Sequence, residues 1–181
     1  MIMMDRGELF AQLDLAISAR NPALAGQLRA GMPRASAERK LAKLPGDKGA
    51  LLDLYKWHNG TEPTRAFSDG RYTMTFNDLS VVPKELFILP EFEAMMGDFE
   101  LWKEAAKKRK PLRAAAGSCF PFLWDGGTTW LALDLKEENG GRVVVVEFES
   151  DLPVREAYPT FDECLFDLLN ANRNDDRLTL E

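Results

Sequence analysis

Histidine and cysteine are nearly missing from this chain: of 181 residues, one is histidine (His58) and two are cysteine (Cys119 and Cys164). Two cysteines cannot make a disulfide framework, and they form no C-x-x-C pair, so a reducing, cytoplasmic compartment and buried thiols are expected. Without a Cys/His cluster a closed zinc site has no ligand set, and neither a metal nor a cofactor is expected. Long apolar runs are missing too. Val143–Val146 and Ser118–Trp124 are among the longest, and both fall well short of the roughly 20 residues that a membrane-spanning helix requires. The opening Met1-Ile2-Met3-Met4-Asp5-Arg6 turns charged too early for a signal peptide, so neither export by that route nor a membrane partner is expected. Internal repeats and low-complexity stretches are absent as well.

What the chain does have is ordinary globular composition, 45% hydrophobic and 29% charged, enough to bury a core without outside help. Its net charge of −6 is unevenly spread. Met1–Trp124 carries 18 Lys/Arg against 15 Asp/Glu, a balance of +3, whereas Asp125–Glu181 carries 5 against 14, a balance of −9. An acidic C-terminal third repels phosphate backbones and attracts basic proteins, which makes nucleic acid a poor direct ligand and a cationic protein a good one.

Asp5 with Glu8 is a helix-start signature, and Leu9, Phe10, Leu13 and Ile17 recur at helical spacing up to Asn21-Pro22. A second short helix should carry Leu24 and Leu28 and stop before Gly31, and a third should follow Ser36 with Leu41 and Leu44 inward. Leu51, Leu54, Tyr55 and His58 share a helical face that Asn59-Gly60 is expected to close. Thr61–Gly70 reads as loop, Arg71–Phe76 as a short strand, and Val81-Val82 as the start of another. Phe92, Met95, Met96, Phe99 and Trp102 form one apolar stripe, which predicts core packing, and the run Lys107–Lys110 follows as a solvated helix end. Cys119–Trp124, Thr129–Leu135 and Arg142–Phe148 read as three antiparallel strands joined by turns at Asp125-Gly126-Gly127 and Asn139-Gly140-Gly141. In the middle strand Leu131, Leu133 and Leu135 should face helices, with Trp130, Ala132 and Asp134 on a wetter side. Thr160 and Glu163 make a capping box for a last helix carrying Phe161, Cys164, Leu165 and Leu168, ahead of a polar tail.

In this order the elements carry residues that resemble the SMI1/KNR4 family, also called the SUKH superfamily of bacterial immunity proteins. The resemblance rests on Leu44-Pro45, Leu54-Tyr55 and Trp57-His58-Asn59-Gly60; on Phe120-Pro121-Phe122, Asp125-Gly126-Gly127, Trp130 and Leu133-Asp134-Leu135; and on Gly141–Val146 followed by Tyr158–Leu169. It implies an α+β fold, a mainly antiparallel sheet with helices packed on one side, and structural roles for Pro45, Tyr55, Trp57, Asn59, Gly60, Pro121, Asp125, Gly127 and Asp134. The implied organisation is a helical extension over 1–35, the family-like domain over 36–170 with an insertion at about 90–112, and a tail over 171–181. For most bacterial members the family implies binding and neutralising a polymorphic toxin, often a nuclease; fungal members act as regulatory interaction modules.

The residues offer little chemistry of their own. His58 lacks a nucleophile and an orienting carboxylate that spacing alone could identify, and a helix end explains it more simply. Cys119 lies in an apolar strand that would hold its thiol protonated. Asp125-Gly126-Gly127 joins two strands and is followed by no P-loop lysine, so it reads as a hairpin turn. The feature that points to function is the carboxylate set Asp125, Glu137, Glu138, Glu147, Glu149, Asp151 and Glu156, which could pair with the Arg and Lys of a basic toxin domain. Trp130, or Trp124, would serve as an exposed aromatic anchor beside them. The expectation is a non-enzymatic binding protein, either an immunity protein or a scaffold that works through Pro90–Lys110.

Overall fold

The computed structural model describes residues 4–61, 79–136, 141–150 and 153–180. Helix α1 (Arg6–Arg20) starts where Asp5 accepts a hydrogen bond from the Glu8 amide and ends at Asn21. Asn21 in turn caps α2 (Pro22–Ala25), with Pro22 in its first turn. There the chain departs from the predicted course. Leu28 does not continue the helix but opens strand β1 (Leu28–Ala30), which pairs antiparallel with β2 (His58–Thr61) and so finds its backbone partners across the chain. Helix α3 (Arg34–Leu41) begins two residues before the predicted Ser36, after Pro33, and turns Ala37 and Leu41 into the core.

Helix α4 (Gly49–Trp57) buries Leu51, Leu54 and Tyr55 as the spacing predicts, but it stops at Trp57 because His58 is already extended. Asn59-Gly60 therefore belongs to β2 and does not close the helix. Gly60 is nonetheless required: its φ is +82°, and a Cβ there would lie 2.3 Å from the Glu91 amide nitrogen. The predicted strand Arg71–Phe76 and most of the preceding loop lie outside the described residues. Val81 and Val82 are buried but form no strand. Their segment folds around Ser80, whose Oγ accepts from the amides of Val82 (3.2 Å) and Phe87 (2.9 Å).

Helix α5 (Phe92–Lys108) buries Phe92, Met95, Phe99, Trp102 and Ala106, so the stretch that resembles an insertion is packed into the core. A short 3-10 turn (Lys110–Leu112) and α6 (Arg113–Ser118) lead into strands β3 (Cys119–Trp124), β4 (Thr129–Asp134), β5 (Val143–Glu147) and β6 (Val154–Tyr158). These form one antiparallel sheet in the order β3-β4-β5-β6. The fourth strand has no counterpart among the predicted elements: Val154-Arg155-Glu156-Ala157-Tyr158 is half polar, as suits an edge strand whose central side chains reach water. Helix α7 (Phe161–Asn174) is capped by Thr160, which accepts from the Glu163 amide, and runs past the predicted end at Leu169.

The fold is thus α+β with antiparallel sheets, as expected. The expectation of helices on one side only, with a wetter face opposite, fails. Trp130, Ala132 and Asp134 are as buried as Leu131 and Leu133, and since neighbouring side chains on a strand point to opposite faces, β4 has no wet face. Trp130 is covered by Trp102 of α5 (centroids 5.6 Å apart) and by Phe148 (5.0 Å). On the other side Phe161 of α7 meets Phe122 edge-on at 5.5 Å. Helix α1 packs along α7, tied by Arg6 to Asp162 (2.6 Å) and by Arg20 to Asn172 (2.8 Å), so the N-terminal helix is part of the same core. Leu178, beyond α7, is buried as well.

Candidate protein-binding surface

The sheet gathers the predicted carboxylates into two groups at its opposite ends. At one end the Asp125 turn and the turn after β5 lie side by side, because the Phe148 amide donates to the Thr128 carbonyl (3.0 Å) and Thr129 is paired with Glu147. Asp125 is committed to this turn: its Oδ1 accepts from the Gly127 amide (2.7 Å) and the Thr129 amide (3.1 Å). A carboxylate that holds two backbone amides contributes as a local cap, and Gly126, at φ +84°, takes the left-handed backbone that lets the turn close, with Gly127 exposed after it. Glu147 is half-buried, 3.5 Å from Arg155 on the neighbouring strand. Glu149 is exposed and makes no ion pair among the described residues. Asp151 lies outside the described residues.

At the other end Arg142 bridges two carboxylates, donating from Nη2 to Asp134 (2.9 Å) and from Nη1 to Glu156 (3.2 Å). Asp134 is buried, and its amide donates to the Arg142 carbonyl (2.8 Å), which closes the β4–β5 hairpin. The hydrogen bond to Asp134 and the neighbouring Glu156 hold the Arg142 guanidinium even more firmly protonated than usual. Glu137 and Glu138 lie outside the described residues. The structure therefore brings Asp125, Glu147 and Glu149 together, and sets Asp134 and Glu156 apart from them.

Trp130 is not available as an anchor. It is 8% exposed, and its Nε1 donates to Asp98 of α5 at 2.9 Å. Burial raises the Asp98 carboxyl above its ordinary range, against the opposing pull of that hydrogen bond. Trp124 is half-buried, with Nε1 donating to the Gly127 carbonyl (2.9 Å). Like Phe148 in the neighbouring turn, it keeps part of its surface in water.

The remaining motif residues hold the scaffold. Tyr55 is buried edge-on against Phe92 (5.2 Å), Trp57 stacks on Phe10 (4.8 Å), and Asn59 accepts from the Phe92 amide (3.2 Å), fixing the start of α5. Pro121 is buried in β3, whereas Pro45 is exposed ahead of Gly46, whose positive φ carries the chain against the Leu135 carbonyl. His58 stands between two acceptors, with Nδ1 2.8 Å from the Arg29 carbonyl and Nε2 2.8 Å from Asp14, which ties α1 to the β1–β2 ribbon. The carboxylate that sequence spacing could not supply is thus Asp14, 44 residues away. Burial pushes the Cys119 thiol up to about 11 and raises Cys164 further, so both remain thiols at neutral pH. Among the described residues no group of three His, Cys, Asp or Glu is placed to hold a metal ion, and no helix is long and apolar enough to cross a membrane.

Sequence reasoning misses the cations at the acidic end. Arg109, just past α5, donates to the carbonyls of Phe148 and Ser150 and clamps the turn that carries Glu149. Nothing in a run of four basic residues says that one of them reaches a turn 39 positions later. The sequence matches no family model, and no curated protein matches it either.

Proposed function

We propose that this chain is a non-enzymatic protein-binding module, an immunity protein of the SMI1/KNR4 type, which blocks a basic toxin domain in the cytoplasm through the acidic end of its sheet. The observation that carries this reading is the hydrogen-bonded pairing of two turns, which presents Glu147 and Glu149 at the same end of the sheet as the half-buried Trp124. Carboxylates on a clamped turn lose little freedom when they meet Arg or Lys, so they bind a cationic surface with a smaller entropic cost than carboxylates on a loose loop. Glu149 supplies the charge that is free to be shared, and the partly exposed Phe148 and Trp124 supply apolar area at the same end of the sheet.

The structure narrows the acidic set that can do this. Asp125 and Asp134 are engaged with the chain's own backbone and with Arg142. Expressed in cells together with a basic toxin domain encoded beside its gene, the chain should protect them, and a Glu149→Lys variant of unchanged fold should protect them less. Full protection by that variant would remove the acidic end from the mechanism.

A second reading, a regulatory scaffold of the same family type without a toxin, is favoured by one observation: Leu101, on the outer side of α5, is 63% exposed. A Leu101→Glu variant that loses an endogenous partner but still protects against toxin would assign the two surfaces separate roles.

A further inference from the structure

A second charged surface lies on α5 and α6, of opposite sign to the acidic end. Lys103, Lys107 and Arg113 line a shallow, open groove of about 450 Å³ together with the small residues Ala106, Ala116 and Gly117. We infer that this groove takes a short carboxylate-rich segment of a partner protein.

Charge is the first argument. Residues 100–113 carry six Lys/Arg against two Glu, a local balance of +4 in a chain of net −6. Lys103 and Lys107 each have a glutamate one turn back, Glu100 at 2.7 Å and Glu104 at 2.6 Å. Such exposed pairs contribute about 0–1 kcal/mol and are easily exchanged for a better-placed carboxylate. Arg113 donates from Nε to the Ala106 carbonyl (3.1 Å), and Arg109 donates to two other carbonyls. These acceptors are neutral, so they position the guanidinium groups without cancelling their charge. Lys108 and Lys110 are exposed nearby and form no ion pair among the described residues.

Shape is the second argument. Ala106, Ala116 and Gly117 put no long side chain between the cations, and a Cβ built on Gly117 meets nothing within 4 Å. Lys103 and Lys107 are one helical turn apart, about 6 Å, so the cationic stretch suits a few residues of peptide. Nucleic acid fits less well. A duplex carries one charge per roughly 1.7 Å, and a strand of useful length would run off the patch onto a negative molecule. At physiological salt the attraction reaches only about 8 Å, which again favours a short segment seated in the groove.

The test is fluorescence anisotropy of a labelled hexaglutamate peptide with the full chain at about 50 mM salt, with hexaglutamine and a single-stranded oligonucleotide as comparisons. Hexaglutamate should bind, more weakly as salt rises, and hexaglutamine should not. Lys103→Gln with Lys107→Gln should weaken binding about tenfold, by removing the charge-assisted contacts. Gly117→Leu should weaken it by a similar factor by filling the groove with the cations intact, and Lys84→Gln, elsewhere on the surface, should leave it unchanged. Tight oligonucleotide binding, or self-association abolished by the same variants, would overturn the inference in favour of nucleic acid or a second copy. Binding that survives Gly117→Leu would overturn the groove in favour of diffuse attraction, and no hexaglutamate binding at all would overturn it outright.

Discussion

Asp98 and Trp130 show how much a single buried contact changes the meaning of a residue. From alternation alone Trp130 belongs on the side of β4 away from Leu131, which is true; what covers that side is decided by Trp102 and Phe148, from elsewhere in the chain. Its indole N–H needs an acceptor once buried, and Asp98 supplies it. The arrangement fixes a sign for pH dependence. Because the folded carboxyl of Asp98 is raised above its value of 3.8, the native state holds that proton more tightly than the unfolded chain does. Stability from this group is complete below the unfolded pKa and is lost as pH rises through the folded one. Asp98→Asn keeps an acceptor for Trp130 and does not titrate, so its stability relative to the parent should increase from about pH 3 to pH 7 in denaturant titrations. A difference independent of pH would show that Asp98 does not titrate differently on folding. His58 is the converse case, where spacing gives no partner and the fold supplies Asp14 from 44 residues away.

Elements are legible wherever the signal is local. Asp5, Asn21-Pro22 and Thr160 mark helix ends by caps that need only three or four residues to act, and all three appear in the structure as predicted. The stripe of α5 is likewise readable from its period, and the three apolar strands from their β-forming residues and the turn residues between them. Leu28–Ala30 and Val154–Tyr158 are not, because a three-residue strand and a half-polar edge strand carry no periodic signal and exist through their partners. Two glycines separate local from long-range constraint. Gly97 is exposed inside α5, and a methyl group in place of its hydrogen would meet nothing within 4 Å, so Gly97→Ala should stabilise by about 1 kcal/mol through helix propensity. Gly60 combines φ +82° with the backbone of Glu91 at 2.3 Å, and Gly60→Ala should destabilise by at least about 2 kcal/mol. Chemical denaturation of the two variants checks both; equal effects would mean that the packing of β2 on the start of α5 is looser than described.

At the scale of the whole molecule, the charge asymmetry of the sequence becomes two neighbouring surfaces of opposite sign, joined where Arg109 holds the turn that bears Glu149. The excess of carboxylates is visible in the sequence. Which of them are free is not, since Arg142 and Arg155 reach Asp134, Glu156 and Glu147 only through strand pairing. In the proposed mode of binding Glu149, with Glu147 behind it, recognises a cationic protein surface. This mode is tested most directly by measuring association and dissociation rates of a cognate basic toxin domain with the parent chain and with Glu149→Lys combined with Glu147→Gln. The expected result is about tenfold weaker binding, mostly from slower association and with a flatter salt dependence, as for charges at the rim of an interface. Unchanged rates at every salt concentration, in a variant with the parent's stability, would contradict it.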